Sequence, residues 1–342
     1  MHLKKSILSL AFIAAVGLTT ETWASEVNVY SARKEALILP LLEKFQAETG
    51  IETNLVTGKA EELLKRLQLE GAATPADVFI TVDAGRLQRA KAAGVLQNVD
   101  SPALESAVPA HLRDVDKHWF GLSQRARTIF YVFGKVAEAD LSTYEDLADP
   151  KWKGKICIRS SSNIYNQSLV AAMLEASGKE ATLHWARGLV ANFAKPPAGG
   201  DTDQLKAAAA GVCEIAVANT YYFGRLLVSN NADLRAVAAK LKVFWPNQGQ
   251  GERGVHVNVS GAGVTAHAKN RENAVRLIEY LTSPESQAWY AEVNNEYPVT
   301  PDAQVSEVLK GLGEFRADDV DLTRLGENNR AALELMDRAG WR

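Results

Sequence analysis

Cysteine and histidine are scarce in this chain, and that scarcity excludes the commonest metal and redox sites. Its 342 residues include 2 cysteines, Cys157 and Cys213, and 6 histidines. Two cysteines cannot complete a structural zinc site, and no Cys-x-x-Cys, His-x-x-x-His or His-Glu-x-x-His spacing occurs. A Gly-x-Ser-x-Gly elbow is absent, and Ser160, Ser161 and Ser162 have no histidine within local reach, so an enzyme is not expected. Without a Gly-x-x-x-x-Gly-Lys-Ser/Thr phosphate loop, ATP is not the ligand. A formal charge of −3 gives no strongly basic face, so nucleic acid is not an expected partner. There is no internal repeat or low-complexity run, and Pro196-Pro-Ala-Gly-Gly200 is a loop rather than an interdomain linker.

The one long apolar run lies at the N-terminus. Lys4 and Lys5 precede the apolar stretch Ser6 to Leu18, and Thr22-Trp23-Ala24 offers a small-residue cleavage site, which together predict a signal peptide over residues 1–24. The apolar part is shorter than the roughly 20 residues a membrane span needs. An exported, periplasmic, soluble chain is therefore expected, not a membrane-embedded one. Loss of Lys4, Lys5 and Glu21 with the leader takes the formal charge from −3 to −4. The chain that remains exceeds what one hydrophobic core usually serves, so two lobes are expected. In an oxidising compartment, Cys157 and Cys213 are either joined in a disulfide or buried as two separate thiols.

Strands and helices alternate along the sequence. Val27–Tyr30, Ile51–Val56 and Ala76–Val82 read as strands, with helices over 34–49 and 60–70 between them. Asp83 is placed to cap the helix that follows. A second series contains the extended stretches 119–122, 127–133, 155–159 and 213–218. Helices are expected to about residue 175 and over 179–193 and 202–210, and Val255–Thr265 is again extended. Helices 273–281 and 327–338 close the chain. This pattern predicts two α/β lobes, each a mainly parallel sheet flanked by helices, with a ligand cleft at the carboxyl ends of the strands. The expected first lobe is 25–124 with 256–302, the second is 125–255, and 303–342 packs on both as a helical segment.

Two adjacent tyrosines, Tyr221 and Tyr222, follow the strand ending near Ala218. Neighbouring side chains diverge on a helix or strand and converge only where the backbone changes direction. Phenolate is a hard anionic donor, suited to a small, highly charged cation. Tyr30 ends the first strand, and Tyr165 opens a helix after the hydroxyl-rich loop Ser160–Asn163. Arg225 shares a helix face with both paired tyrosines, at offsets of four and three. Arg125 and Arg127 lie on an expected crossover between lobes. His184 and His256 fall on helix and strand faces as structural residues.

Taken together, Val29-Tyr-Ser-Ala-Arg33, Pro75-Ala-Asp-Val-Phe79, Asp83-Ala-Gly85, Arg125-Ala-Arg127, Asp149-Pro-Lys-Trp-Lys-Gly154, Arg159-Ser-Ser-Ser-Asn163, Asn219-Thr-Tyr-Tyr222 and Glu296-Tyr-Pro298 resemble the periplasmic ferric-iron-binding proteins of bacterial ABC transporters. The likeness is to their tyrosine-rich subgroup and spans nearly the whole mature chain. It implies a two-lobed type II binding protein that captures Fe3+ (Fe2+ being the alternative) on Tyr30, Tyr165, Tyr221 and Tyr222. Arg125, Arg225, Arg127 and Arg33 become the anion-holding or charge-balancing arginines, and carbonate a candidate synergistic anion. The implied partners are a membrane permease and its ATPase, served by a monomer. Another branch of the family uses a histidine and a glutamate where this chain has Arg33 and Asp83, so that ligand pair is absent and Asp83 remains a cap. The competing reading is a same-fold protein for a sugar, polyamine, thiamine or sulfate. Trp119, Trp152, Trp185 and Trp245 sit at spacings that read as core rather than as a sugar platform.

Overall fold

The computed structural model describes residues 25–301 and 303–342; the expected signal peptide lies outside the described residues. Its strands are β1 (Glu26–Ser31), β2 (Glu52–Thr57), β3 (Val78–Val82), β4 (Phe120–Val132), β5 (Ile156–Cys157), β6 (Ile215–Asn219), β7 (Leu241–Phe244) and β8 (Val257–Val264). They run in the order β2-β1-β3-β8-β4-β6-β5, with β7 also paired to β4. Within each half of the sheet the short strands pair in parallel, β1 with β2 and β3, and β5 with β6. Every pairing made by β4 and β8 is antiparallel, so the sheet is mixed where the halves meet.

The sequence reads residues 119–133 as two extended stretches, but they form one 13-residue strand. Up to Ala126 its partner is β8; from Arg127 onward its partners are β6 and β7. A single strand thus passes from one lobe into the other. Gln124 also exchanges two backbone hydrogen bonds with Tyr297, which lays the segment around residue 297 beside β4.

Pro40 has no N–H for an interior helical position, so the expected helix over 34–49 resolves into a short 3-10 turn, Glu35–Leu37, and a helix Leu39–Thr49. Gly50 ends that helix in the left-handed region (φ 72°). The two helices read between residues 164 and 193 form one element, Ile164–Ala191, broken only at Gly178. Trp119, Trp152 and Trp185 are buried, while Trp245 is half-buried and stacks on Phe315. Cys157 and Cys213 are bonded, tying the end of β5 to the approach to β6. The C-terminal helices Leu322–Glu327 and Asn329–Arg338 pack on Ile164–Ala191, and the first of them also touches the helix Ala84–Ala92. Trp341 is fully buried against Trp185 and Phe193, and its Nε1 donates to the Arg159 carbonyl at 2.9 Å. The last residues of the chain thereby fix the loop that leads to Tyr165.

Candidate metal centre

The backbone turns where the tyrosine pair requires it. Strand β6 ends at Asn219, and the helix Thr220–Leu227 begins at once, placing both tyrosines in its first turn. Strand β4 anchors this junction. The Ala126 N–H donates to Thr220 Oγ1 at 3.3 Å, and Arg127 Nη1 donates to Asn219 Oδ1 at 3.0 Å. The rings of Tyr221 and Tyr222 lie 4.3 Å apart, tilted by 32°. Tyr221 donates to the Tyr165 hydroxyl at 3.1 Å. Three phenols from two helix starts therefore converge within one lobe.

Cationic side chains surround them. Arg225 lies 4.9 Å from the Tyr221 ring and 5.9 Å from the Tyr222 ring, as its helical spacing predicts. Arg125 sits 5.8 Å from the Tyr221 ring, and Arg159 5.6 Å from the Tyr165 ring. Burial raises the Tyr221 phenol well above its usual 10, and the neighbouring phenols Tyr165 and Tyr222 push the same way. Burial, followed by Tyr165, lifts Tyr222 to about 12. Both phenols are protonated at neutral pH in the metal-free molecule, so a metal that binds them must displace their protons.

Tyr30 stands apart from this cluster. Strand alternation sends its side chain to the face opposite Val29 and Ser31, onto the helix Ala60–Glu70. There its hydroxyl meets both Glu70 oxygens at 3.0 and 3.2 Å, under the Arg66 guanidinium. Arg127 is also committed elsewhere, to Asp201 at 3.3 Å, Asn166 at 2.6 Å and Asn219. Arg33 is held by Ser260 at 2.5 Å and by Glu296 at 3.0 Å. Arg125 shares those two partners, Ser260 and, at 3.3 Å, Glu296. Its Nε and Nη1 are buried and make no hydrogen bond among the described residues.

Several residues of this neighbourhood escape sequence reading as site residues. Glu296 could have been flagged only through the Glu-Tyr-Pro motif, and Arg159 only as the opening of Arg-Ser-Ser-Ser-Asn. Burial opposes ionisation of Glu296, but Arg33 and then Arg125 outweigh it and hold the carboxyl at about 2. Ser168 lies three residues beyond Tyr165 and donates to Asp83 Oδ1 at 2.6 Å, a hydrogen bond from the helix Ile164–Ala191 to the cap of the helix Ala84–Ala92. Asp83 also caps its helix by accepting from the Gly85 N–H at 2.9 Å, with its backbone at φ 82°.

Residues 41–317 match the family of bacterial extracellular solute-binding proteins. Iron uptake protein A1 of Synechocystis is 51% identical over 317 residues, covering 93% of this chain and 88% of that protein. The major ferric iron-binding protein of Neisseria meningitidis serogroup B is 28% identical, with 99% and 100% covered. A Trichodesmium protein (IdiA, FutA) solved in complex with iron and citrate ligands superposes with a TM-score of 0.90 at 50% identity, over 93% of this chain and 100% of that one.

Proposed function

The chain belongs to the bacterial extracellular solute-binding protein family, and we propose that it captures iron in the periplasm and delivers it to an ABC permease. The observation that carries this reading is the convergence of Tyr165, Tyr221 and Tyr222 beside Arg125, Arg159 and Arg225. Three phenolates neutralise Fe3+, and the opposite charge favours their ionisation. With Fe2+ the same ligands leave a negative excess, which a permanently protonated guanidinium offsets. Carbonate or a comparable small oxyanion takes positions left on the metal, and Arg125 is the guanidinium suited to hold it.

The mechanism is closure of two lobes on the cargo. We assign residues 25–124 with 256–302 to the first lobe, 125–255 to the second and 303–342 to a helical cover. What supports the division is the change of partner within β4 between Ala126 and Arg127. Such crossings act as hinges in two-domain binding proteins. The relatives are named as uptake and binding proteins, which fits capture without catalysis. No described helix is long and apolar enough to cross a membrane. The likeness to uptake and binding proteins supports a monomer that hands its cargo to a membrane permease and its ATPase.

The test is visible absorption when ferric citrate is added to metal-free protein. Tyrosinate-to-iron charge transfer gives a coloured complex, and replacing both Tyr221 and Tyr222 by Phe bleaches it while leaving the far-UV spectrum unchanged. Acidification discharges the colour as protons compete for phenolate oxygen. A colourless wild-type protein that binds an organic solute instead overturns the proposal.

A further inference from the structure

Glu296 lies where the loop after β1, strand β4 and strand β8 meet. Its carboxylate accepts from Arg33 Nη2 at 3.0 Å, Arg125 Nη2 at 3.3 Å and Ser123 Oγ at 2.5 Å. Arg33 comes from the loop after β1, Ser123 and Arg125 from β4, and the shared acceptor Ser260 from β8. All these groups are buried, Glu296 at 3% exposure and Arg125 at 2%. Two guanidinium groups converging on one serine hydroxyl repel each other strongly in a low-dielectric interior. A carboxylate between them makes the arrangement tenable.

The same residue is tied to the tyrosine helix. Asn295, in the left-handed region at φ 55°, ends the π-helix Tyr290–Asn294 and turns the chain into Glu296. Its Cβ presses on Gly224, where any side chain would come within 2.8 Å. The position of Glu296 is therefore fixed against the helix that carries Tyr221 and Tyr222.

We propose that Glu296 is a positioning residue of the iron site: by clamping Arg125 through Nη2 it stations the guanidinium beside Tyr221, with Nε and Nη1 free for an anion on the metal. This inference rests on the reading of the three-tyrosine cluster as an iron site. The clamp also links Arg125 to Arg33, so movement of the first-lobe loop is felt beside Tyr221. The net charge of Arg33, Arg125 and Glu296 is one positive charge, enough to retain a small anion next to a neutral iron–trisphenolate group.

Two variants separate placement from charge. In Glu296→Gln the arginines lose their counter-ion and Arg125 leaves its station. Iron affinity, measured by competition with citrate, falls by about ten- to a hundred-fold, as for other outer residues of metal sites. The charge-transfer band moves to longer wavelength, because a guanidinium that has left the Tyr221 phenolate no longer lowers its donor level. The double variant Arg33→Gln with Glu296→Gln restores one net positive charge without restoring the clamp, and removes the repulsion that threatens folding of the single variant. If Glu296 acts by placement, the double variant keeps the loss of affinity and still shows a displaced band, whereas Glu296→Asp recovers most of both. Wild-type band position and affinity in the double variant overturn the proposal, as does a Glu296→Gln protein that loses thermal stability but binds iron within twofold of wild type. The colour of the wild-type complex reports separately on the iron site itself.

Discussion

At the scale of single residues, chemistry is decided by what each polar group touches. The Tyr30 hydroxyl is committed to Glu70, which also accepts from Arg66 at 2.6 Å and Thr74 at 2.8 Å. Tyr30→Phe is therefore expected to leave the charge-transfer band of the iron complex unchanged and to cost about 1 kcal/mol of stability, the usual worth of one hydrogen bond, as measured by urea denaturation. His256 supplies a pH dependence. Burial, and then Arg253 and Arg127, lower its pKa from 6.5 to about 3. The unfolded chain takes up a proton near 6.5 that the folded chain refuses until about 3, so stability falls as pH drops through that window, by up to about 1.4 kcal/mol per unit. His256→Gln should flatten the slope of unfolding free energy against pH between those limits. Glu296 adds an effect at lower pH. Its folded value of about 2 lies below the ordinary 4.5, so its contribution is complete above 4.5 and is lost as pH falls towards 2.

At the scale of elements, the second lobe is braced around the tyrosines. The disulfide joins β5 to the approach to β6, the two strands that lead into the tyrosine-bearing helices, across a sequence separation of 56. A closed loop of that length restricts the unfolded chain by about 4 kcal/mol in the loop-entropy model. Replacing Cys157 and Cys213 together by Ala should lower the denaturation midpoint accordingly while leaving the wavelength of the iron band in place. Much at this scale was legible beforehand. The helix Ala60–Glu70 matches its expected range, and the paired tyrosines occupy the turn that their adjacency required. The reading faltered where context overrides local pattern. Strand β4 continues through 123–126, where Ser123 and Arg125 are buried with hydrogen bonds and an ion pair to Glu296 instead of apolar packing.

At the scale of the whole molecule, the hydrogen bond from Ser168 to Asp83 is one of the contacts that join the helix Ile164–Ala191 to the helix Ala84–Ala92. Asp83 is fully buried and its second oxygen makes no hydrogen bond among the described residues, so the Ser168 hydroxyl is one of two donors it has. Ser168→Ala is expected to loosen closure. Small-angle scattering should show a larger radius of gyration for the iron-loaded variant, and a chelator should remove iron about fivefold faster, in line with about 1 kcal/mol for one hydrogen bond. An unchanged release rate would place the closing energy elsewhere in the interface.

The sequence by itself determined the alternation of strands and helices, two cysteines able to pair, and phenols with arginines at helix starts. These are local facts, set by residue type and spacing. Only the tertiary structure decided which phenols lie together and which guanidinium groups are spoken for. Tyr30 is turned away by strand parity, because the face of β1 that carries it is covered by the helix Ala60–Glu70. Arg125 takes its place from Glu296, 171 residues further along the chain. Buried charges are compensated by whatever the fold brings alongside, and that partner is not written in their own neighbourhood of the sequence.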